Sequence, residues 1–190
     1  MVATTGEPTL CGDNAPMTRR RGLIVSGIAS LLLLVAMAPA EERMKDTGGP
    51  GMVPFELTGG EERADEILTE WGEKGQDAAR ESLWIDFGFL IAYGTFLTLA
   101  LAATRDLARD RGWPRFARIG RVVVYFGALG AVFDAFENLC LLLTLDGAGK
   151  AFPLLATVFA TCKFILLAIA IAYLLAGLAM RLRRPAPSLP

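Results

Sequence analysis

The sequence contains no histidine. That absence removes imidazole metal sites, histidine-assisted serine or cysteine nucleophiles and imidazole pH sensing. Cysteine is scarce: Cys11, Cys140 and Cys162 show no CxxC and no ligand spacing. The last two sit in apolar stretches and read as small reduced hydrophobes. Their membrane depths, estimated below, differ too much for a disulfide. A glycine-rich phosphate loop is missing too, since Asp146-Gly147-Ala148-Gly149-Lys150 lacks the required spacing and reads as a tight turn. Net charge is only -1, so global charge suggests no nucleic-acid partner. Neither a cofactor nor a metal is expected.

What remains is mostly hydrocarbon. Apolar residues make up 53% of the 190, and mean hydropathy is +0.43. Because these residues come in long blocks, the chain reads as an all-α polytopic membrane protein rather than a soluble domain. Its first partner is therefore the lipid bilayer.

In chain order, residues 1–18 are rich in Gly, Pro and Thr and read as disordered, with Met17 as a second candidate start. Arg19-Arg20-Arg21 precedes the uncharged run Leu23 to Ala38. This is either a signal anchor, the preferred reading, or a signal peptide leaving at Ala36-Met37-Ala38-Pro39-Ala40. Both place residue 41 outside the cytoplasm. The four expected spans cover about 22–40, 83–104, 120–145 and 152–180, within a membrane domain of 19–180, followed by a cytoplasmic tail at 181–190.

The extracytoplasmic segment 41–82 carries twelve acidic and five basic residues. Within it Ala64, Ile67, Leu68 and Trp71 recur at helical spacing, predicting a short amphipathic helix that Gly72 and Gly75 interrupt. Its acidic polar face favours packing on the protein's own helices over binding anionic lipid. The segment Arg105 to Arg121 holds six arginines and two aspartates and reads as a short cytoplasmic loop. Arg181, Arg183 and Arg184 follow the last span. All arginine clusters thus fall on one side. That pattern predicts a multi-pass protein of the cell membrane, a four-helix bundle with both termini cytoplasmic.

The third span is interrupted by Asp134, Glu137 and Asn138, which share one helical face. Ionisable groups at membrane depth cost about 2.5–3.5 kcal/mol on insertion scales and need partners. At a rise of ~1.5 Å per residue, Asp134 and Lys163 both lie about 16 Å from the outer ends of their spans. Glu137 lies at about 12 Å, Asn138 at about 10 Å, Tyr93 at about 15 Å and Asp86 at about 5 Å. Cys140 and Cys162 come out at about 7 and 15 Å. The expectation is a polar pocket open to the outside. Lys163 pairs with Asp134 or Glu137, and Tyr93 and Asn138 donate hydrogen bonds. One lysine cannot neutralise two carboxylates there, so either one holds a proton or water enters.

From Phe55 onward the chain resembles bacterial inner-membrane proteins with four spans. The resemblance rests on Pro54-Phe55-Glu56-Leu57, the Ile67-Leu68…Trp71-Gly72 helix, Asp86-Phe87 leading to Tyr93, Asp134…Glu137-Asn138, and Lys163-Phe164. It implies no activity. In outline the pattern is also similar to the sterol-isomerase-like four-span fold, which holds acidic residues and asparagine in a membrane pocket. The histidine of those isomerases has no counterpart here, so their reaction is not transferred.

The polar residues admit several roles. They can hold the helices in register, bind a small or lipidic ligand, serve assembly, relay protons or ions as a carrier or channel subunit, or act as an intramembrane lipid-modifying enzyme. No nucleophile–base pair supports the enzyme, and no inverted repeat supports the carrier. A ligand-binding or assembly role is the expected one. A homo-oligomer stays open.

Overall fold

The computed structural model describes residues 15–182, and Cys11 and the tail beyond 182 lie outside them. Six helices follow in order: α1 (Ala15–Asp46), α2 (Met52–Glu56), α3 (Glu61–Asp110), α4 (Pro114–Val123), α5 (Tyr125–Leu145) and α6 (Phe152–Leu182). Among the described residues no strand occurs. Four stretches are long and apolar enough to cross a membrane: Thr18–Asp46, Glu61–Asp110, Pro114–Leu145 and Phe152–Leu182.

The helices exceed the expected spans. Helix α1 begins at Ala15, so the last residues of the stretch expected to be disordered are helical; it also runs through Pro39 without ending at Ala40. Gly72 interrupts the amphipathic stretch from Glu61 as expected: its φ of 54° and ψ of -166° break the helical path, and helix resumes beyond it within α3. The arginine-rich segment is largely helical rather than a loop. Only residues 111–113 separate α3 from α4. Gly112 (φ +70°) lets the Trp113 N–H reach back to the Ala108 carbonyl, a Schellman closure of α3. Pro114 then opens α4 at a position where its missing N–H costs nothing.

Packing follows small residues. Helix α1 lies along α3 and makes no comparable contact with α5 or α6. A Cβ on Gly22 would stand 3.0 Å from Leu99, and one on Gly27 would stand 3.2 Å from Phe96. Helices α3 and α5 cross closely at Gly94 and Gly127. There a Cβ on Gly127 would meet the Thr98 amide nitrogen at 2.6 Å. Gly88, by contrast, has only ordinary contact with Leu33 at 3.5 Å. Helix α6 packs chiefly on α5.

Two apolar cores result. One, at the acidic end, gathers Met44, Phe55, Ile67, Trp71, Leu83 and Leu141. Trp71 is sealed into it by an indole N–H donated to the Pro50 carbonyl (2.7 Å) and a tilted contact with Phe55 (4.9 Å between centroids). The amphipathic face therefore packs on the chain itself: Ala64 and Ile67 are fully buried and Leu68 half-buried. The second core, toward the arginine-rich end, gathers Leu97, Leu101, Val123, Ala170 and Tyr173. The polar residues of α3, α5 and α6 fall between the two.

Candidate functional site

Three helices bring the charged groups together. Asp134, Glu137 and Asn138 project from one face of α5, and all three are buried. Lys163, on α6, meets them: its Nζ stands 3.0 Å from Asp134 Oδ1 and 2.8 Å from Glu137 Oε2. The contact with Asp134 is an aligned hydrogen bond. The one with Glu137 is at ion-pair distance but off the hydrogen-bond axis, so both Glu137 oxygens are buried without a hydrogen-bond partner. From α3, the Tyr93 hydroxyl donates to Asp134 Oδ2 (2.8 Å). Asn138 Nδ2 donates to Asp86 Oδ2 (2.6 Å), again across α3 and α5. All six residues singled out in the sequence thus stand side by side, in two bonded groups: Tyr93, Asp134, Lys163 and Glu137 in one, Asn138 and Asp86 in the other.

The depth count was right for Asp134 and Lys163 and misplaced Asp86. Counting from Leu83 put Asp86 about 5 Å outward of Asn138, yet their side chains touch. The reason is α3 itself, which continues as helix well before Leu83, so Leu83 does not mark the end of the span.

One member was missed. Glu56, the last residue of α2, places Oε2 3.7 Å from Lys163 Nζ. Burial pushes the Glu56 carboxyl above its ordinary range, and the nearby Lys163 ammonium opposes that shift without cancelling it. Its backbone is fixed from α6: Thr157 Oγ1 donates to the Glu56 carbonyl (2.9 Å) and accepts from the Gly59 N–H (2.9 Å). On the far side Glu41 of α1 accepts the Met52 N–H (3.0 Å). Helix α2 is therefore tied across the acidic end of the site. The only signal in the sequence was an acidic residue between Phe55 and Leu57, where two apolar neighbours draw the segment inward.

Beside the cluster lies a cavity of about 760 Å³. Asp86, Tyr93, Asp134, Asn138, Lys163 and Glu56 form most of its polar wall, and Glu41 and Ser82 line it too. Its other wall is apolar and aromatic, including Phe89, Phe96 and Phe164. Several lining residues are themselves open to the surroundings: Leu34 on α1, Val53 on α2 and Ile171 on α6 are 53%, 54% and 52% exposed. These mark the mouth. It opens sideways between α1 and α6, where the two helices do not close on each other, and α2 lies across the acidic end. Helix α2, folded back across the acidic end, contributes one rim of this opening through Val53.

Such a site offers one ammonium, four closely placed carboxylates and a phenol next to an apolar chamber. It holds no nucleophile–base pair. Among the described residues no group of three His, Cys, Asp or Glu side chains is arranged to hold a metal. Cys140 and Cys162 are both free thiols. No family model, curated protein or solved structure matches this chain. The class is therefore defined by the helices and the site alone: an all-helical chain with four stretches able to span a membrane and a charged cluster between them.

Proposed function

We propose that the chain is a four-span bundle of the cell membrane whose polar cavity binds a small or lipidic ligand. In this reading the arginine-rich end is cytoplasmic, with both termini there. The acidic end, with α2 and the amphipathic start of α3, is extracytoplasmic. The observation that carries it is the cavity: its mouth is lined by apolar side chains at the level of the spans, and its inner wall is polar. Such a concave, mostly apolar chamber with a few convergent polar groups is the usual form of a ligand site. A cluster needed only for helix register has no use for an adjoining chamber of about 760 Å³.

A proton or ion relay is less well supported. Linked titratable groups run from Glu56 to Lys163, Asp134 and Tyr93. Beyond them toward the arginine-rich end stand Leu97, Leu101, Val123 and Ala170, and the one titratable side chain of that core, Tyr173, donates its hydroxyl to the Phe116 carbonyl rather than to the cluster. A relay would stop there.

The test is to purify the protein in mild detergent, extract it with organic solvent and analyse the extract by mass spectrometry. A single molecular class recovered stoichiometrically, and enriched over bulk membrane lipid, is the expected result. An extract with only bulk lipid in membrane proportions, together with ion flux in liposomes, would favour the relay.

A further inference from the structure

The cavity's charges are unequal, and the imbalance indicates what chemistry it takes. Lys163 is engaged by Asp134, Glu137 and Glu56 on one side of the site. Asp86 stands apart from that ion-pair group. Its Oδ2 accepts a hydrogen bond from Asn138, a neutral donor, and no cation lies within ion-pair distance of it among the described residues. Its second oxygen has no protein partner, and it is not sealed off either, since it is not among the buried unpartnered atoms. It faces the chamber. Phe89, Tyr93 and Phe96, from the same helix, line that chamber too. A carboxylate beside aromatic faces favours a cation, by charge and by the ring quadrupole.

Resting on the ligand-binding reading above, we infer that the ligand is an amphipathic amine, whose protonated nitrogen pairs with Asp86 and whose hydrocarbon body fills the apolar chamber. It enters sideways between α1 and α6, past Leu34 and Ile171. The polar nitrogen travels inward to the only carboxylate on the wall without a cation. The chain of the ligand stays toward the mouth, against Leu34, Val53 and Ile171; Glu41, which also lines the cavity, is already engaged by Lys45 and the Met52 N–H. A neutral alcohol of the same length fits the same space but leaves the Asp86 charge uncompensated. An anionic headgroup is repelled.

The experiment compares decylamine with decanol, titrated against the purified full chain in detergent and read by native mass spectrometry. The amine is expected to bind about tenfold or more tightly than the alcohol, the range of a hydrogen bond to a charged group. Asp86→Asn keeps an oxygen for the Asn138 amide and is expected to abolish the preference while retaining the alcohol. Leu34→Trp, at an exposed position of the mouth, is expected to weaken both. Equal binding of the two probes by the wild type would overturn the amine assignment and leave the pocket standing. Binding of neither would overturn the pocket itself. An amine preference that survives in Asp86→Asn would assign the cation to another carboxylate and so refute the role of Asp86. Unaltered binding in Leu34→Trp would refute the lateral entrance.

Discussion

Lys163 Nζ lies 3.0 Å from Asp134 Oδ1 across α5 and α6, and the same ammonium lies 2.8 Å from Glu137 Oε2. The two carboxylates differ in what else holds them. Asp134 also accepts from Tyr93, whereas Glu137 is fully buried with no hydrogen bond. Lys163→Met should therefore destabilise the protein by about 3–5 kcal/mol, the range for breaking a buried pair. Rescue should depend on which carboxylate is then removed. Adding Glu137→Leu deletes a fully buried carboxylate whose only cation within ion-pair distance is Lys163, and should recover more stability. Adding Asp134→Leu leaves the Tyr93 hydroxyl without an acceptor and should recover less. Thermal unfolding in detergent ranks the variants, and the reverse order would contradict the assignment of partners.

The close approach of α3 and α5 gives a sharper steric prediction. A Cβ on Gly127 would stand 2.6 Å from a backbone nitrogen, which cannot rotate away. Gly127→Ala should cost about 1–3 kcal/mol, as overpacking does elsewhere. Gly88→Ala, with its nearest neighbour at 3.5 Å, should be close to neutral. Equal melting temperatures for the two variants would show that the crossing is looser than drawn.

Trp71 joins the amphipathic start of α3 to the loop before α2. Its ring is buried against Phe55 and its N–H satisfies the Pro50 carbonyl. Trp71→Phe should cost about 1–3 kcal/mol through the lost acceptor contact and the smaller ring. Trp71→Ala should cost about 3–5 kcal/mol. Limited proteolysis of the 47–60 segment offers an independent readout, since the loop should become cleavable in Trp71→Ala before the rest of the chain unfolds.

Much of this arrangement was legible in the sequence because charge inside a hydrocarbon run is costly. Asp134, Glu137, Asn138 and Lys163 had to find one another, and a count of helical rise was enough to pair the first with the last. Tyr93 followed from its depth of about 15 Å by the same count. What could not be read was anything that depends on where a helix truly ends. Gly72 breaks the helix as its sequence suggests, but helix resumes beyond it and well before Leu83, so a count that starts at Leu83 cannot register Asp86 against Asn138. The arginines of 105–121 looked like loop residues, yet a glycine closure and a proline start leave only three residues outside helix. Glu56 was invisible for a related reason. Its place beside Lys163 depends on α2 folding back and being pinned by Thr157, a tertiary event with no local signature.

Glu56 makes the site pH-sensitive in a stated direction. Its carboxyl is pushed above the ordinary value of 4.5 by burial. An acid whose folded-state pKa is raised binds its proton more tightly when folded, so its stabilising effect is complete below the unfolded value. That effect falls as pH rises through the window between the unfolded and folded values, and it is lost above the folded one. The slope is at most about 1.4 kcal/mol per pH unit for a single group. Glu56→Gln mimics the protonated form at every pH. Wild type and variant should therefore be similarly stable below pH 4.5, with the variant gaining relative to wild type above it. Chemical or thermal unfolding at a series of pH values gives the difference. A gap that stays constant with pH would mean that Glu56 does not titrate in the folded protein.

Orientation in the membrane rests on arginine. Six arginines lie between 105 and 121, three more at 19–21, Arg181 stands in the last turn of α6, and Arg183 and Arg184 lie beyond the described residues. The structure brings described members of the three groups together at one end: Arg19 pairs with Asp106 at 2.8 Å, and Arg111 donates to the Arg181 carbonyl at 3.2 Å. The opposite end carries the acidic segment, with Arg80 paired to Asp146 and Lys150 to Glu61. Short positively charged connections are retained in the cytoplasm, while acidic residues exert little orienting force. The arginine-rich end should therefore face inward. Single cysteines in a background lacking Cys11, Cys140 and Cys162 provide the measurement, at two exposed positions, Glu62 and Arg115. Glu62→Cys should react with an impermeant thiol reagent in intact cells, and Arg115→Cys should react only after the membrane is opened. Labelling of Arg115→Cys but not Glu62→Cys in intact cells would invert the topology and turn the mouth of the cavity toward the other leaflet. Labelling of both would show that the segment between them does not cross the membrane, and the lateral entrance proposed for the ligand would then have no bilayer to open into.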